Sequence, residues 1–282
     1  MQIHEGLRQA RQALHTAGLS DEAARDAEWL ACHALSLDRA SLLARLRDDW
    51  PSPESHHAFM TLVARRCARE PMAYIVGEHD FCGRIFEVGP GVLIPRPETE
   101  LLIDEALRRL PRHKDTRVID IGTGSGCLAI TIACERPRAQ VSATDISADA
   151  LRIARRNANR HHAEVAWHDG ALFAGATGHW DLIVSNPPYI AERDRATLMP
   201  DVVHYEPPQA LFAGAEGLDV IAGLIAGAPT ALAVGGTLLM EMGAGQDRAV
   251  AALVHAQPSL RLEDVRPDQQ GIPRMVIAVR TA

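Results

Sequence analysis

The sequence predicts an α/β protein: a doubly wound, mostly parallel sheet with a terminal antiparallel hairpin, preceded by a small α-helical N-terminal domain and a β-hairpin linker. Three observations lead there. From Ile3 to about Ala68, apolar residues recur at three and four positions, the period of one helix face. From Arg117 onward, short apolar runs alternate with helical stretches, the pattern of a parallel sheet covered on both faces. The last two runs, LRLEDVRP and RMVIAV, are separated only by the turn-rich DQQGIP, which leaves no room for a crossover helix and implies antiparallel pairing.

The elements follow in order. Leu7, Ala10 and Leu14, then Ala23, Ala27, Leu30, Ala31 and Leu35, then Leu42, Leu43 and Leu46 mark the apolar faces of successive short helices. Ser20, ahead of Asp21 and Glu22, is the expected cap of one of them, and Pro51, Ser52 and Pro53 open another that runs to Cys67. Between Tyr74 and Pro95 the period becomes strand-like in YIVGEHDF and RIFEVGP, which are expected to turn at Cys82 and Gly83. A helix carried by Leu101, Leu102, Ile103, Ala106 and Leu107 follows PRPETE. The alternating half then reads RVIDIG with a helix over 128–134, QVSATD with a helix over 148–158, AEVAWHD, WDLIVSN, and TLLMEM with a helix over 246–255.

Composition narrows the function. Hydrophobic residues make up 47% and charged residues 23% of the 282, ordinary values for a soluble domain, and no apolar run approaches the ~18 residues of a membrane span. MQIHEGLRQARQAL carries charge throughout and has no apolar h-region, so a cytoplasmic location is expected. Cys32, Cys67, Cys82, Cys127 and Cys134 form no C-x-x-C pair and have no histidines at zinc spacing, which predicts reduced thiols and no metal. A net charge of −7 argues against a nucleic-acid partner, because neutralising phosphates needs a concentrated basic face.

The first chemical motif is the run 118–126, VIDIGTGSG, a buried strand entering a glycine loop and then a helix. Glycines there let the backbone turn sharply and approach a ligand that a Cβ would repel. The spacing, Gly122-Thr123-Gly124-Ser125-Gly126 followed by Cys127, differs from the G-x-G-x-x-G of dinucleotide folds and matches the loop that holds S-adenosylmethionine in methyltransferases. Asp145 closes the next strand about 20 residues on, where a carboxylate accepts from both ribose hydroxyls. Asp120, inside the glycine strand, either meets the amino-acid end of the cofactor or orients the loop. Asp169 ends the third strand, where methyltransferases read the adenine amino group, and Gly170 follows it.

The second motif is Asn186-Pro187-Pro188-Tyr189, at the carboxyl end of the fourth strand, where open α/β sheets place ligands. It suits a planar nitrogen. An amide nitrogen is a poor nucleophile because its lone pair is delocalised into the carbonyl, so the pair must be freed and aimed. The Asn186 side-chain oxygen accepts one N–H and the Pro187 carbonyl the other. Pro187 and Pro188 hold the backbone stiffly, and Tyr189 is expected to wall the flat amide. The rate gain then comes from positioning and electrostatic fit rather than from a strong base.

Together with DIGTGSG and NPPY, the stretches REPMAYIVGEHDF, LIPRPETE, YEPPQALFAGAEGL and LLMEMGAGQ resemble, in the same order, segments of the release factor glutamine methyltransferase family, often called HemK or PrmC. The resemblance covers nearly the whole chain. It implies the class I methyltransferase form of the doubly wound fold, over residues 96–282, behind a linker over 75–95 and a helical domain over 1–74 that helps hold the release factor. It implies N5-methylation of the glutamine in the Gly-Gly-Gln loop of class I peptide chain release factors, with S-adenosyl-L-homocysteine as coproduct. By the same resemblance Gly122, Thr123, Gly124, Ser125, Gly126 and Asp145 contact the cofactor, and Asn186, Pro187, Pro188 and Tyr189 the glutamine; Asp169, Gly170 and Asn186 are further expected cofactor contacts. Family members can carry an aromatic residue after the acid that ends the third strand; here Gly170 stands there, and Leu172 or Phe173 is expected to cover the adenine instead.

Two other readings meet the same motifs. An N6-adenine DNA or RNA methyltransferase faces the same lone-pair problem, but flipping a base calls for a phosphate-gripping surface that this acidic chain does not advertise. A cofactor-binding fold retained as an interaction module has no use for an intact Asn186 and Tyr189.

Overall fold

The computed structural model describes residues 1–281. The chain forms two compact units: Met1–Glu78 with Met199–Tyr205, and His79–Leu198 with Glu206–Ala282. Among the described residues no helix is long and apolar enough to cross a membrane.

The first unit is helical, over Ile3–Thr16, Ala23–Leu35, Arg39–Ala44, Pro53–Cys67 and Met72–Val76, around a core that includes Leu14, Leu30, Leu42 and Phe59. Leu7, Ala10, Leu14, Ala23, Ala27, Leu30, Ala31 and Leu42 point inward because they repeat every three or four residues, whereas Leu43, expected on the same face as its neighbour Leu42, is exposed. Ser52 caps its helix, accepting from the Ser55 amide at 3.2 Å. Ser20 does not cap: the second helix starts at Ala23 with Glu22 at its N-cap and no side-chain bond there. The strand expected from Tyr74 is also corrected, since residues 72–76 are helical and end at Gly77 in the left-handed region. Tyr74 and Ile75 are buried, and Ile75 joins the helical core, so packing overrides the strand preference of Tyr-Ile-Val. The segment 199–205 joins this unit through Arg66. That buried guanidinium pairs with Asp26 and Asp201, both at 2.8 Å, and Tyr205 donates to the Ala68 carbonyl at 2.7 Å.

The second unit opens at His79, within the hairpin of β1 (Glu78–Phe81) and β2 (Arg84–Glu87), which turns at Cys82 and Gly83, both with positive φ. Its sheet contains β3 (Thr116–Ile121), β4 (Ala139–Asp145), β5 (Val165–Asp169), β6 (Trp180–Ser185), β7 (Leu232–Glu241), β8 (Leu260–Pro267) and β9 (Pro273–Arg280), in the order β5-β4-β3-β6-β7-β9-β8. The pairs from β5 through β7 are parallel, and β9 is antiparallel to both β7 and β8, as the short DQQGIP connection requires. A helix over Asp219–Ala231 between β6 and β7 carried no expectation. Its Ala- and Gly-rich composition and internal Pro229 blur the helical period, yet Ile221, Leu224, Ile225 and Ala228 pack on the sheet. The strand order reverses between β3 and β6, and such a reversal opens a crevice at the carboxyl ends.

Candidate active site

Both motifs meet at that crevice. Val118, Ile119 and Asp120 of β3 pair with Leu182, Ile183 and Val184 of β6, and the Ser185 hydroxyl donates to the Ile121 carbonyl at 2.7 Å. The glycine loop and the Asn186 turn therefore leave the sheet side by side. They border a cavity of about 380 Å³, within the size range of small-molecule sites. Gly122, Thr123, Gly124, Ser125, Asp145, Gly170, Asn186, Pro187 and Pro188 all line it.

The loop is shaped by backbone conformation. Gly124 has φ 57° and faces open space where a side chain would project. Gly126 has φ 84°, and a Cβ there would lie 2.8 Å from Ile130 Cδ1 and 3.2 Å from Ala154 Cβ, so glycine lets helix and loop close together. Of the two roles open to Asp120, the geometry favours orienting the loop. Fully buried, it accepts from the Thr123 hydroxyl at 2.6 Å and from the Ala129 amide at 3.2 Å, and it lies outside the cavity lining. Burial pushes its carboxyl up to about 7, opposed by those two bonds.

Asp145 accepts from the Gly124 amide at 2.8 Å and from the Ser147 amide at 2.9 Å, one on each oxygen, which ties the ends of β3 and β4 together. Burial raises its pKa, and these amide bonds oppose the shift. Each oxygen keeps a further lone pair for hydroxyl donors. Asn157, fully buried, braces the loop from behind: it donates to the Ser125 carbonyl and pairs with both backbone groups of Glu87.

At the β6 end, Asn186 Nδ2 donates to Thr99 Oγ1 at 2.8 Å. The Thr99 hydroxyl in turn donates to Glu241 Oε2 at 2.7 Å, and the Tyr189 phenol donates to Glu241 Oε1 at 3.0 Å. Burial and the adjacent Glu241 hold the phenol above its ordinary pKa. Gln246 donates to the Tyr189 carbonyl at 2.9 Å and accepts from the Gly243 amide at 2.8 Å. At Gly217 a Cβ would drive into the Tyr189 carbonyl, which accounts for glycine in AGAEGL.

Gly126, Tyr189 and Asp169 lie outside the lining. The Tyr189 ring packs against the core beside the Asp219–Ala231 helix, and Asp169 is exposed next to Gly170, whose amide donates to the Asp145 carbonyl. Of the two residues expected over the adenine, Leu172 lines the cavity, while Phe173 packs into that same core, where a Cβ on Gly227 would meet its ring. Sequence reasoning missed Ile146, 58% exposed and lining the cavity one residue past Asp145. It also missed Thr99, Glu241, and the contribution of Val92, Leu93 and Pro95. The last group is held by Glu206, buried, which accepts from the Ile94 amide and the Arg96 guanidinium. An acid inside an otherwise apolar strand end, as in LLMEM, was the available signal for Glu241.

Residues 98–251 match the family profile of the methyltransferase small domain, and residues 5–77 that of the PrmC N-terminal domain. The release factor glutamine methyltransferase of Cereibacter sphaeroides is 45% identical over 282 residues, covering 99% of this chain and 98% of that protein. That of Deinococcus radiodurans is 40% identical over 280 residues, covering 99% of each. A crystal structure of a methyltransferase from Pyrococcus furiosus superposes with a TM-score of 0.53 at 17% identity, over 78% of this chain and 98% of that one, which shows a shared fold. With such identity along its whole length, the chain belongs to the release factor glutamine methyltransferase family.

Proposed function

We propose that this enzyme transfers a methyl group from S-adenosyl-L-methionine to N5 of the glutamine in the Gly-Gly-Gln loop of class I peptide chain release factors. The observation that carries the reading is Asn186. Its NH₂ end is engaged by Thr99, which leaves the carbonyl end as an acceptor at a cavity shared with the glycine loop.

The residues fit the cofactor. A Cβ built on Gly122 or Gly124 would meet nothing within 4 Å, so the backbone lies open to a close-lying ligand, and Asp145 retains acceptor capacity for ribose hydroxyls. We assign the cofactor to Gly122, Thr123, Gly124, Ser125, Gly126, Asp145 and Gly170, with Asp169 at the exposed rim. When bound, S-adenosylmethionine supplies a methyl activated by its sulfonium.

The protein's task is then to hold the carboxamide. Asn186 Oδ1 and the Pro187 carbonyl accept its two N–H groups, and Pro187 and Pro188 keep those acceptors rigid. As the new N–C bond forms and the S–C bond breaks, one N–H proton becomes acidic and leaves to solvent. We assign the helical unit to holding the release factor, in keeping with its match to the PrmC N-terminal domain.

Mass spectrometry of a class I release factor incubated with the enzyme and S-adenosylmethionine tests this reading. One methyl on the Gly-Gly-Gln glutamine is the expected result. Methyl label appearing only in DNA or RNA supplied alongside would transfer the assignment to an N6-adenine methyltransferase.

A further inference from the structure

We infer that Glu241, acting through Thr99, is a positioning residue that fixes which end of the Asn186 carboxamide faces the substrate. The inference rests on the reading of Asn186 given above. A side-chain amide has an acceptor end and a donor end of nearly equal shape, and a half-turn exchanges them. With the acceptor end inward, Asn186 receives a substrate N–H; with the donor end inward, NH₂ would face NH₂. Shape does not choose between these states. Proton count does.

Thr99 has one hydroxyl proton, and it is given to Glu241 Oε2 at 2.7 Å. Toward Asn186 the Thr99 oxygen is therefore left as an acceptor, and only the NH₂ end of the amide satisfies it. Burial raises the Glu241 pKa, and the Thr99 and Tyr189 hydroxyls oppose that shift by donating to its two oxygens; a carboxylate held by two donors in this way accepts and leaves the Thr99 oxygen to accept in turn. At 2% exposure the carboxylate depends on these two donors. The sheet sets up the arrangement: Ser185 of β6 pairs with Met240 of β7, which brings Asn186 level with Glu241, and Thr99 bridges them from the turn at Pro97–Thr99. Were the Thr99 proton not committed to Glu241, it would be free to face Asn186, and the flipped amide would be equally satisfied.

Thr99→Val keeps the shape and removes the hydroxyl; Thr99→Ser keeps the hydroxyl. Steady-state methyl transfer to a purified release factor is measured together with the calorimetric Kd for S-adenosylmethionine. We expect Thr99→Val to lower kcat by about 10- to 100-fold, the scale of lost orientation at a reacting group, with Kd unchanged within about 3-fold. Thr99→Ser should restore kcat, and adding Glu241→Gln to Thr99→Val should cost little more, because the path is already cut. Thermal unfolding is followed for each variant, and Thr99→Ala carries the comparison if Thr99→Val does not fold. Wild-type kcat in Thr99→Val, equal losses in the Val and Ser variants, or a Kd that weakens in step with kcat would each overturn the inference. Asn186→Ala, run in parallel, separates the two levels: if it alone loses turnover, the positioning role fails and the assignment of Asn186 survives, whereas wild-type turnover in Asn186→Ala removes both.

Discussion

The carboxyl ends of β3 and β6 lie side by side, yet they build their halves of the cavity by different means. After β3 the surface is backbone: glycines with positive φ, braced by buried Asp120 and Asn157 and tied to Asp145. After β6 it is side chain, an amide whose direction is set by a hydroxyl 87 residues away in sequence and a carboxylate beyond it. The first half suits a ligand recognised by close approach. The second suits one whose donors must be counted. The contrast shows why the two motifs differ in character: a glycine loop is nearly complete in a contiguous stretch, whereas Asn-Pro-Pro-Tyr acquires its polarity only from partners supplied elsewhere.

Single substitutions should split the halves. Asn186→Ala is expected to lower kcat by roughly 10²- to 10³-fold, comparable to loss of one donor or acceptor at a transition state, while the Kd for S-adenosylmethionine stays within about 3-fold. Label transfer and titration calorimetry read the two quantities separately, and a parallel loss of both would erase the division. Asp145→Ala should do the reverse, weakening cofactor binding by about 10- to 100-fold, the equivalent of ~1.5–3 kcal/mol for hydrogen bonds to a charged group, with kcat at saturating cofactor largely retained. Unchanged affinity in that variant would remove the ribose assignment.

The smallest effect concerns the brace beneath the loop. Burial raises the Asp120 carboxyl from its ordinary 3.8 to about 7, so folding favours the protonated form. Its contribution to stability is fully present below the unfolded pKa and is lost as pH rises through the folded value, because the unfolded chain ionises first. Asp120→Asn cannot ionise. The gap in Tm between variant and wild type should therefore move in the variant's favour by a few °C between about pH 5 and pH 8, read by thermal scanning across buffers. Parallel Tm profiles would show that Asp120 does not titrate in the fold.

Much of this architecture was legible beforehand, for identifiable reasons. Strands β3, β4 and β6 are apolar runs ending in an acid or a loop signal, and the terminal hairpin follows from a connection too short to cross over. Where the reading slipped, local preference was overruled. Tyr74, Ile75 and Val76 read as strand but coil into a helix that buries Tyr74 and Ile75, and the Asp219–Ala231 helix hides behind small residues and Pro229. Within the site, Tyr189 was expected to face the amide and instead donates to Glu241, while Phe173 turns into the core. An aromatic residue in a motif says little about which way its ring points.

The sequence by itself determined the class of the sheet, the glycine loop with its Asp145, and the amide at the end of β6, because each depends on neighbours in the chain or on a period short enough to read. Only the tertiary structure decided that the segment 199–205 belongs with the helical unit, that Ile146 and Leu172 border the cavity, and that Thr99 and Glu241 stand behind Asn186. The physical reason is the same in each case. Strand register brings together residues that no local pattern connects, and the direction of a hydrogen bond depends on where every proton in the chain of partners has already gone.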